Sequence, residues 1–463
     1  MLSPPCGMPK KPVQTCNALS LKPFISLLPL GNPLLLAAAV VAIIIGGGCV
    51  RHDEVAPETE DHAIEFEAGS MLLKDKPTKT SGRMVGSDFI VGDSFYAWAW
   101  HDGASQYMTF NPVVKGSIDW DYDSHLYWNW RGVGDYYDFL AIYPASSISS
   151  DALTAPSPTP QTQASRLLKA TVDYEAFTSG IDPRAGQYDL MAAGYRRDEN
   201  GLVTPVDLIF RRMLSAVCVD VKNSASSLDP ITLKSCHFVN LVTHSTIAAT
   251  FTGSNTSSGL NIDTGVPSRS NDPVLGPSIP SNKVLDTGHS LYIDRLVQTL
   301  SSLSESNALV QTLAGHIYED RVWDMAADEQ GDWADDWIDD TDNASLLESL
   351  SIESDVFKAN LTTALTSLAD PQDWDLMIPQ NLNLSGASAP TIEVVYNNGE
   401  DDITQSVTLK DIKNQSNVAI TSWESGVKYR YILEMRIGVG VVVTVKTTPW
   451  DVVEAETPGL MID

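Results

Sequence analysis

The stretch VDLIFRRMLSAVCVDVKN, residues 206–223, is dense in β-branched and aromatic residues and carries neither proline nor glycine. Such a run predicts strand, and similar runs lie on both sides of it. Upstream are IEFE (64–67), FIVGDSFYAWAW (89–100) and DFLAIY (138–143); downstream is ITL (231–233). IEFE alternates apolar and charged residues, as a half-buried strand does, which puts Ile64 and Phe66 on one face. Gly92, Gly103, Pro112, Gly132, Pro144 and Pro183 punctuate the runs. Short strands separated by turn signals predict a mainly β chain of sandwich architecture. Strand texture returns near the end in TIEVVY (391–396), YRYILEM (429–435) and VGVVVTV (439–445).

Between these blocks, at about 253–373, the period changes. Leu296, Leu300 and Leu303 recur at helical spacing, as do Phe357, Leu361, Leu365 and Leu368. This reads as a helical insertion in the C-terminal half, entered through a Gly/Ser/Asn/Pro-rich linker that runs to Asn282. From Glu319 to Asp342 it carries eleven acids with Trp323, Trp333 and Trp337 among them. That segment lacks the glycine and spacing of a helix-loop-helix calcium loop. A solvated acidic helix docked through Trp333 and Trp337 is the expectation, and no metal or cofactor is assigned.

The N-terminus has a different character. Lys10, Lys11 and Lys22 precede an apolar run, Leu34–Ile45, which is shorter than the roughly 20 residues of a membrane span. Three glycines then lead to Cys49, after which the chain turns acidic. The arrangement resembles a bacterial lipoprotein signal, cut before a cysteine that receives lipid, although Gly46 stands where leucine is usual. It implies a signal peptide over 1–48, lipidation at Cys49 and attachment to outer-membrane lipid.

Charge excludes one large class of partner. With 59 Asp and Glu against 30 Lys and Arg, the net charge is −29, the opposite of the basic face that nucleic acid requires. Beyond Cys49 only Cys218 and Cys236 remain. In an oxidising compartment they either pair or stay as two half-buried thiols. The histidines form no HExxH and no ligand pair at i,i+4, and there is no phosphate loop. The chain therefore reads as a non-enzyme.

Several segments, in order, resemble the fimbrillin family of Bacteroidales surface lipoproteins (type V pilins, Mfa-like). They are AIEFE (63–67), TKTSGR (78–83), FIVGDSF (89–95), YYDFLAIYP (136–144), YDLMAA (188–193), residues 206–223, MIPQNL (377–382) and WESGVKYRYIL (423–433). Arg211 and Arg212 stand where that family often has histidine. The resemblance implies two tandem transthyretin-like β-sandwich domains, here 84–185 and 186–463, behind a propeptide at 49–83 that contains the first strand. It also implies cleavage after Arg83 by an arginine-specific protease, then head-to-tail assembly by donor-strand exchange. Other fimbrial subunits are the implied partners, with a host or bacterial surface receptor as a further one.

Arg83 lies in a Lys/Thr/Ser/Gly stretch of the kind where proteolysis concentrates. The released segment, Cys49–Arg83, carries five Lys and Arg and eight Asp and Glu. For the donor, Val439, Val441, Val443 and Val445 share one face, as a groove-filling strand requires and as an ordinary core strand also does. A monomeric outer-membrane lipoprotein that binds glycans through exposed aromatics is the alternative reading.

Overall fold

The computed structural model describes residues from Ala63 to Pro449. Residues 71–78, 85–88, 159–165, 174–186, 199–204, 225–229, 254–259, 271–278, 302–306, 321–343, 349–354, 369–373 and 437–439, with some shorter gaps, lie outside the description. The expectations for Cys49, Leu303, Trp323, Trp333, Trp337 and Val439 fall on residues it does not describe.

Seven strands close into a barrel. Around it run Phe66–Ser70 (β1), Val206–Arg212 (β2), Met191–Asp198, Tyr136–Tyr143, Ser94–His101, Ser105–Lys115 and Trp120–Asp121, which returns to β1. Strand parity divides the side chains. Phe95, Ala97 and Ala99 join Phe139, Ala141 and Phe210 in the barrel core. The alternate residues Trp98, Trp100, Leu140 and Ile142 face outward, yet they are buried too. A five-stranded sheet covers them through Leu168, Ala170, Ile247, Ala249 and Phe251. The fit there is close: a Cβ at Gly194 would sit 2.4 Å from the Phe251 ring, so only glycine lets the two layers meet.

A second pair of sheets follows. Ser215–Asn223 (β3) lies between Asp375–Met377 and Val427–Arg436 (β4), and β4 pairs along its full length with Gly440–Pro449 (β5). The opposing sheet orders Lys283–Leu285, Ile231–Val239, Thr391–Asn397 and Asp402–Thr408. Val217, Val219 and Val221 of β3, with Tyr429, Tyr431 and Leu433 of β4, meet Leu233, Phe238, Ile392 and Val394 between the sheets. Ala216, one residue before Val217, belongs to the first core, so the chain passes between layers within a single peptide step.

Helices α1 (Leu291–Leu300), α2 (Asn307–Asp320) and α3 (Asp355–Leu368) share their own core of Ile293, Leu296, Leu300, Leu313, Ile317 and Leu361. Ser290 caps α1 by accepting from the Ile293 amide at 3.1 Å. A buried polar cluster ties the helices to β3: Tyr318 Oη donates to Asp220 Oδ2 at 2.8 Å, and Arg430 lies over the Tyr292 ring at 4.7 Å.

Three expectations need correction. The stretch from Gly253 to Asn282 is not a plain linker, because Leu260–Thr264 and Ser268–Ser270 pair with Leu241–Phe251. Strands on both sides of residue 185 build the same barrel, since Met191–Asp198 pairs with Tyr136–Tyr143 and β2 with β1. Cys218 and Cys236 are both buried and are not joined in a disulfide. Cys236 faces the core between the sheets, whereas Cys218 accepts from Arg430 Nε at 3.2 Å on the far face of β3, so parity keeps them apart.

Candidate assembly site

β1 is the stave that completes the barrel, and its two sides are held unequally. On one side it runs parallel to β2 through five pairs, Phe66↔Val206 to Ser70↔Phe210. On the other it meets Trp120–Asp121 through the single pair Phe66↔Trp120. Just before the strand, the Ile64 amide donates to Leu126 O at 2.7 Å and Tyr122 Oη donates to Ile64 O at 3.0 Å. The Val206 amide donates to Glu65 O at 2.7 Å.

Alternation aims the strand as its sequence predicts. Ile64 and Phe66 are buried, while Glu65 and Glu67 are exposed. Phe66 sits edge-on to Phe95, Tyr122 and Phe139 at centroid distances of 5.9, 5.7 and 5.9 Å. Rings in this geometry add attraction beyond the area they bury. Burial raises the Tyr122 pKa, so the phenol stays protonated and its hydrogen bond to the strand persists. β1 thus lies between two neighbours: β2 along its whole length, and Trp120 at one register pair, with Ala63 and Ile64 held beyond it by Tyr127, Leu126 and Tyr122. Without β1 the barrel would present an aromatic slot beside the open edge of β2.

Arg83 and Met84 pair with Lys79 and Thr80 as a two-stranded hairpin, in the register Lys79↔Met84 and Thr80↔Arg83. The hairpin lies in sequence between β1 and Phe89, whose ring packs against Trp120, Tyr143 and Phe210. Arg83 therefore separates one strand of the barrel from the rest of its core.

The valines at the other end lie in their own sheet. Val445 is fully buried, and Val441 and Val443 pack partly buried against the second core. Among the described residues, the outer side of β5 pairs with Lys413–Asn414, through two pairs. Where it begins, the Val441 amide donates to Gln405 Oε1 at 2.7 Å. Gly440 makes that contact possible: its φ is +92°, and a Cβ there would lie 2.4 Å from Gln405 Nε2.

One cluster of metal-ligand type escaped the sequence reading, because Asp135 lies 34 residues from His101. His101 Nε2 lies 3.2 Å from Asp135 Oδ2 and 4.0 Å from Asp102 Oδ2, with its ring stacked on Tyr137 at 4.3 Å. A metal-bound imidazole ordinarily donates its second nitrogen to a partner, and His101 Nδ1 has none among the described residues. The set reads as a buried histidine held by a carboxylate.

Residues 82–294 match the model of the fimbrillin-like family. No curated protein matches the chain. Among solved structures the chain is similar to a fimbrial protein from Bacteroides vulgatus, at 10% identity over 84% of this chain and 99% of that one, with a TM-score of 0.38. It is also similar to the C-terminally truncated tip fimbrial protein Mfa3 from Porphyromonas gingivalis, at 8% identity over 78% and 95%, TM-score 0.32. A third is a fimbrial assembly protein from Parabacteroides distasonis, at 7% identity over 83% and 99%, TM-score 0.32.

Proposed function

Since the chain belongs, through residues 82–294, to the fimbrillin-like family, we propose that it is a structural fimbrial subunit whose barrel is opened for assembly by loss of its first strand. It works at the cell surface, in a fimbrium, in association with other fimbrial subunits, and it is not an enzyme. In this proposal the barrel with its covering sheet is one sandwich domain and the second sheet pair the other, built from interleaved chain segments rather than split at residue 185, and α1–α3 are the insertion. The precursor is exported as a lipoprotein anchored through Cys49. An arginine-specific protease cuts after Arg83, which leaves β1 on a separate peptide and removes the anchor with it.

The observation that carries this reading is the unequal hold on β1, five register pairs to β2 against one to Trp120. While β1 is covalently attached, its high effective concentration keeps the slot filled. Once cut, it competes on equal terms with any strand that buries comparable apolar surface. β5 of a second copy is the proposed replacement, adding a strand to the exposed edge of β2. That contact is head-to-tail and does not close on itself, so it grows a filament. For β5 to serve, it must leave β4, whose ten register pairs hold it at home. On its other edge, among the described residues, the two pairs to Lys413 and Asn414 must also part.

The test is digestion of purified precursor with an arginine-specific protease, followed by gels of unboiled and boiled samples. A ladder in the unboiled lane that collapses on boiling, and that is absent for Arg83→Ala, is the expected outcome. A single monomer band from fully cleaved protein would reject the proposal.

A further inference from the structure

The faces of β1 and β2 that point away from the barrel core carry charge. In their parallel register Glu67 stands directly opposite Asp207, and both are exposed. Like charges at a directly opposed cross-strand position weaken the pairing. Partial desolvation where the two strands meet, and after it the neighbouring Glu67 carboxylate, raise the Asp207 pKa. The first strand is thus packed well on its inner face and repelled on its outer one.

The candidate donor has the opposite outer character. Residues 440–449 read GVVVTVKTTP and contain no acid. If Val441, Val443 and Val445 occupy the places of Ile64, Phe66 and Ala68, the apolar face of the slot is filled. Position 444 then lies opposite Asp207, and position 446 lies opposite Ile209, which is two residues further along β2. Threonine replaces Glu67, and Lys446 becomes the diagonal neighbour of Asp207, a separation that long side chains span. By backbone register, position 446 lies opposite Arg430 of β4 at home. Exchange therefore removes one like-charge pairing and creates one of opposite sign.

We propose that Asp207 selects the donated strand by charge, disfavouring the resident strand through Glu67 and favouring β5 of a second copy of this chain through Lys446. This rests on the donor-strand reading above, and it adds a rule for which strand is accepted: apolar on its inner face, and free of acid with a cation near Asp207 on its outer face.

The experiment uses precursor cleaved after Arg83 and a fluorescent synthetic peptide of residues 440–449, which isolates the slot from the separate step of releasing β5. Binding of the peptide should accompany release of the 49–83 fragment. A Lys446→Glu peptide should bind roughly fivefold more weakly at low ionic strength, with the difference shrinking as salt is raised. Asp207→Lys should invert the preference between the two peptides. Glu67→Gln, which alters only the departing strand, should slow release of the fragment. Equal binding of both peptides to the natural and Asp207→Lys proteins, with release unchanged by Glu67→Gln, would overturn the charge rule and leave the donor reading intact. Failure of every peptide to displace the fragment would instead overturn the donor reading itself.

Discussion

Phe66 holds the first strand in place more than any other residue in it. Three rings meet it edge-on within 6 Å, and truncating a buried phenylalanine of this kind costs about 3–5 kcal/mol. Phe66→Ala should lower the stability of the uncleaved precursor by that amount in denaturant unfolding, and should speed loss of the fragment after cleavage. An unchanged midpoint would mean that the slot closes without it. Asp207 gives a pH dependence of definite sign. Its pKa is raised while β1 is docked, so its contribution to docking is at full strength below the ordinary carboxylate value. The contribution fades as pH rises through the raised one. Fragment release from cleaved protein should therefore be slower near pH 4, about the ordinary value, than at pH 7; the reverse order would contradict the Glu67–Asp207 repulsion. IEFE made both assignments legible, since two apolar and two acidic residues in strict alternation leave one choice of face. Cys218 shows the limit of that logic. Ala216, Cys218 and Asp220 share a parity that separates them from the valines, but the buried Arg430 that occupies their face arrives from a strand more than 200 residues away.

Among the elements, β5 is the one asked to have two homes. Its valines were visible in the sequence as one apolar face, and the structure packs Val441, Val443 and Val445 against the second core. A swapping strand has to satisfy the same inner-face rule in both places, so alternation alone cannot say which place it occupies. The contact between Gln405 and the Val441 amide holds the start of the strand at home, next to Gly440. Gln405→Ala should leave the fold intact and raise the hydrogen-exchange rate of the Val441 amide; unchanged exchange would show that this end is held by other contacts. Gly440→Ala should cost about 1 kcal/mol or more, from its left-handed backbone and the approach of Gln405. The strand FYAWAW (95–100) shows why the architecture was harder to read than the elements. Its residues are buried on both faces of the sheet apart from the half-buried Tyr96. Covering both faces erases the period-two signal that marks a half-exposed strand. The barrel closes by pairing β1 with β2, about 140 residues apart in sequence, and nothing local encodes that register.

For the whole molecule, the second sheet pair and the helices are joined by a buried network rather than by apolar contact alone. Asp220 accepts from Tyr318 and from the Tyr292 amide, next to Arg430. Asp220→Ala would remove the buried acceptor of the Tyr318 hydroxyl and the Tyr292 amide, at a cost of about 1–3 kcal/mol. Thermal unfolding should show that loss; a shift of a degree or less would mean that solvent reaches the site. The central claim is that subunits assemble only after the first strand has left the barrel. The most direct test is mass spectrometry of purified filaments. If the account is right, polymerised subunits begin at Met84, and peptides spanning Ile64–Ser70 are absent from the filament. Filaments whose subunits retain Ile64–Ser70 would contradict it.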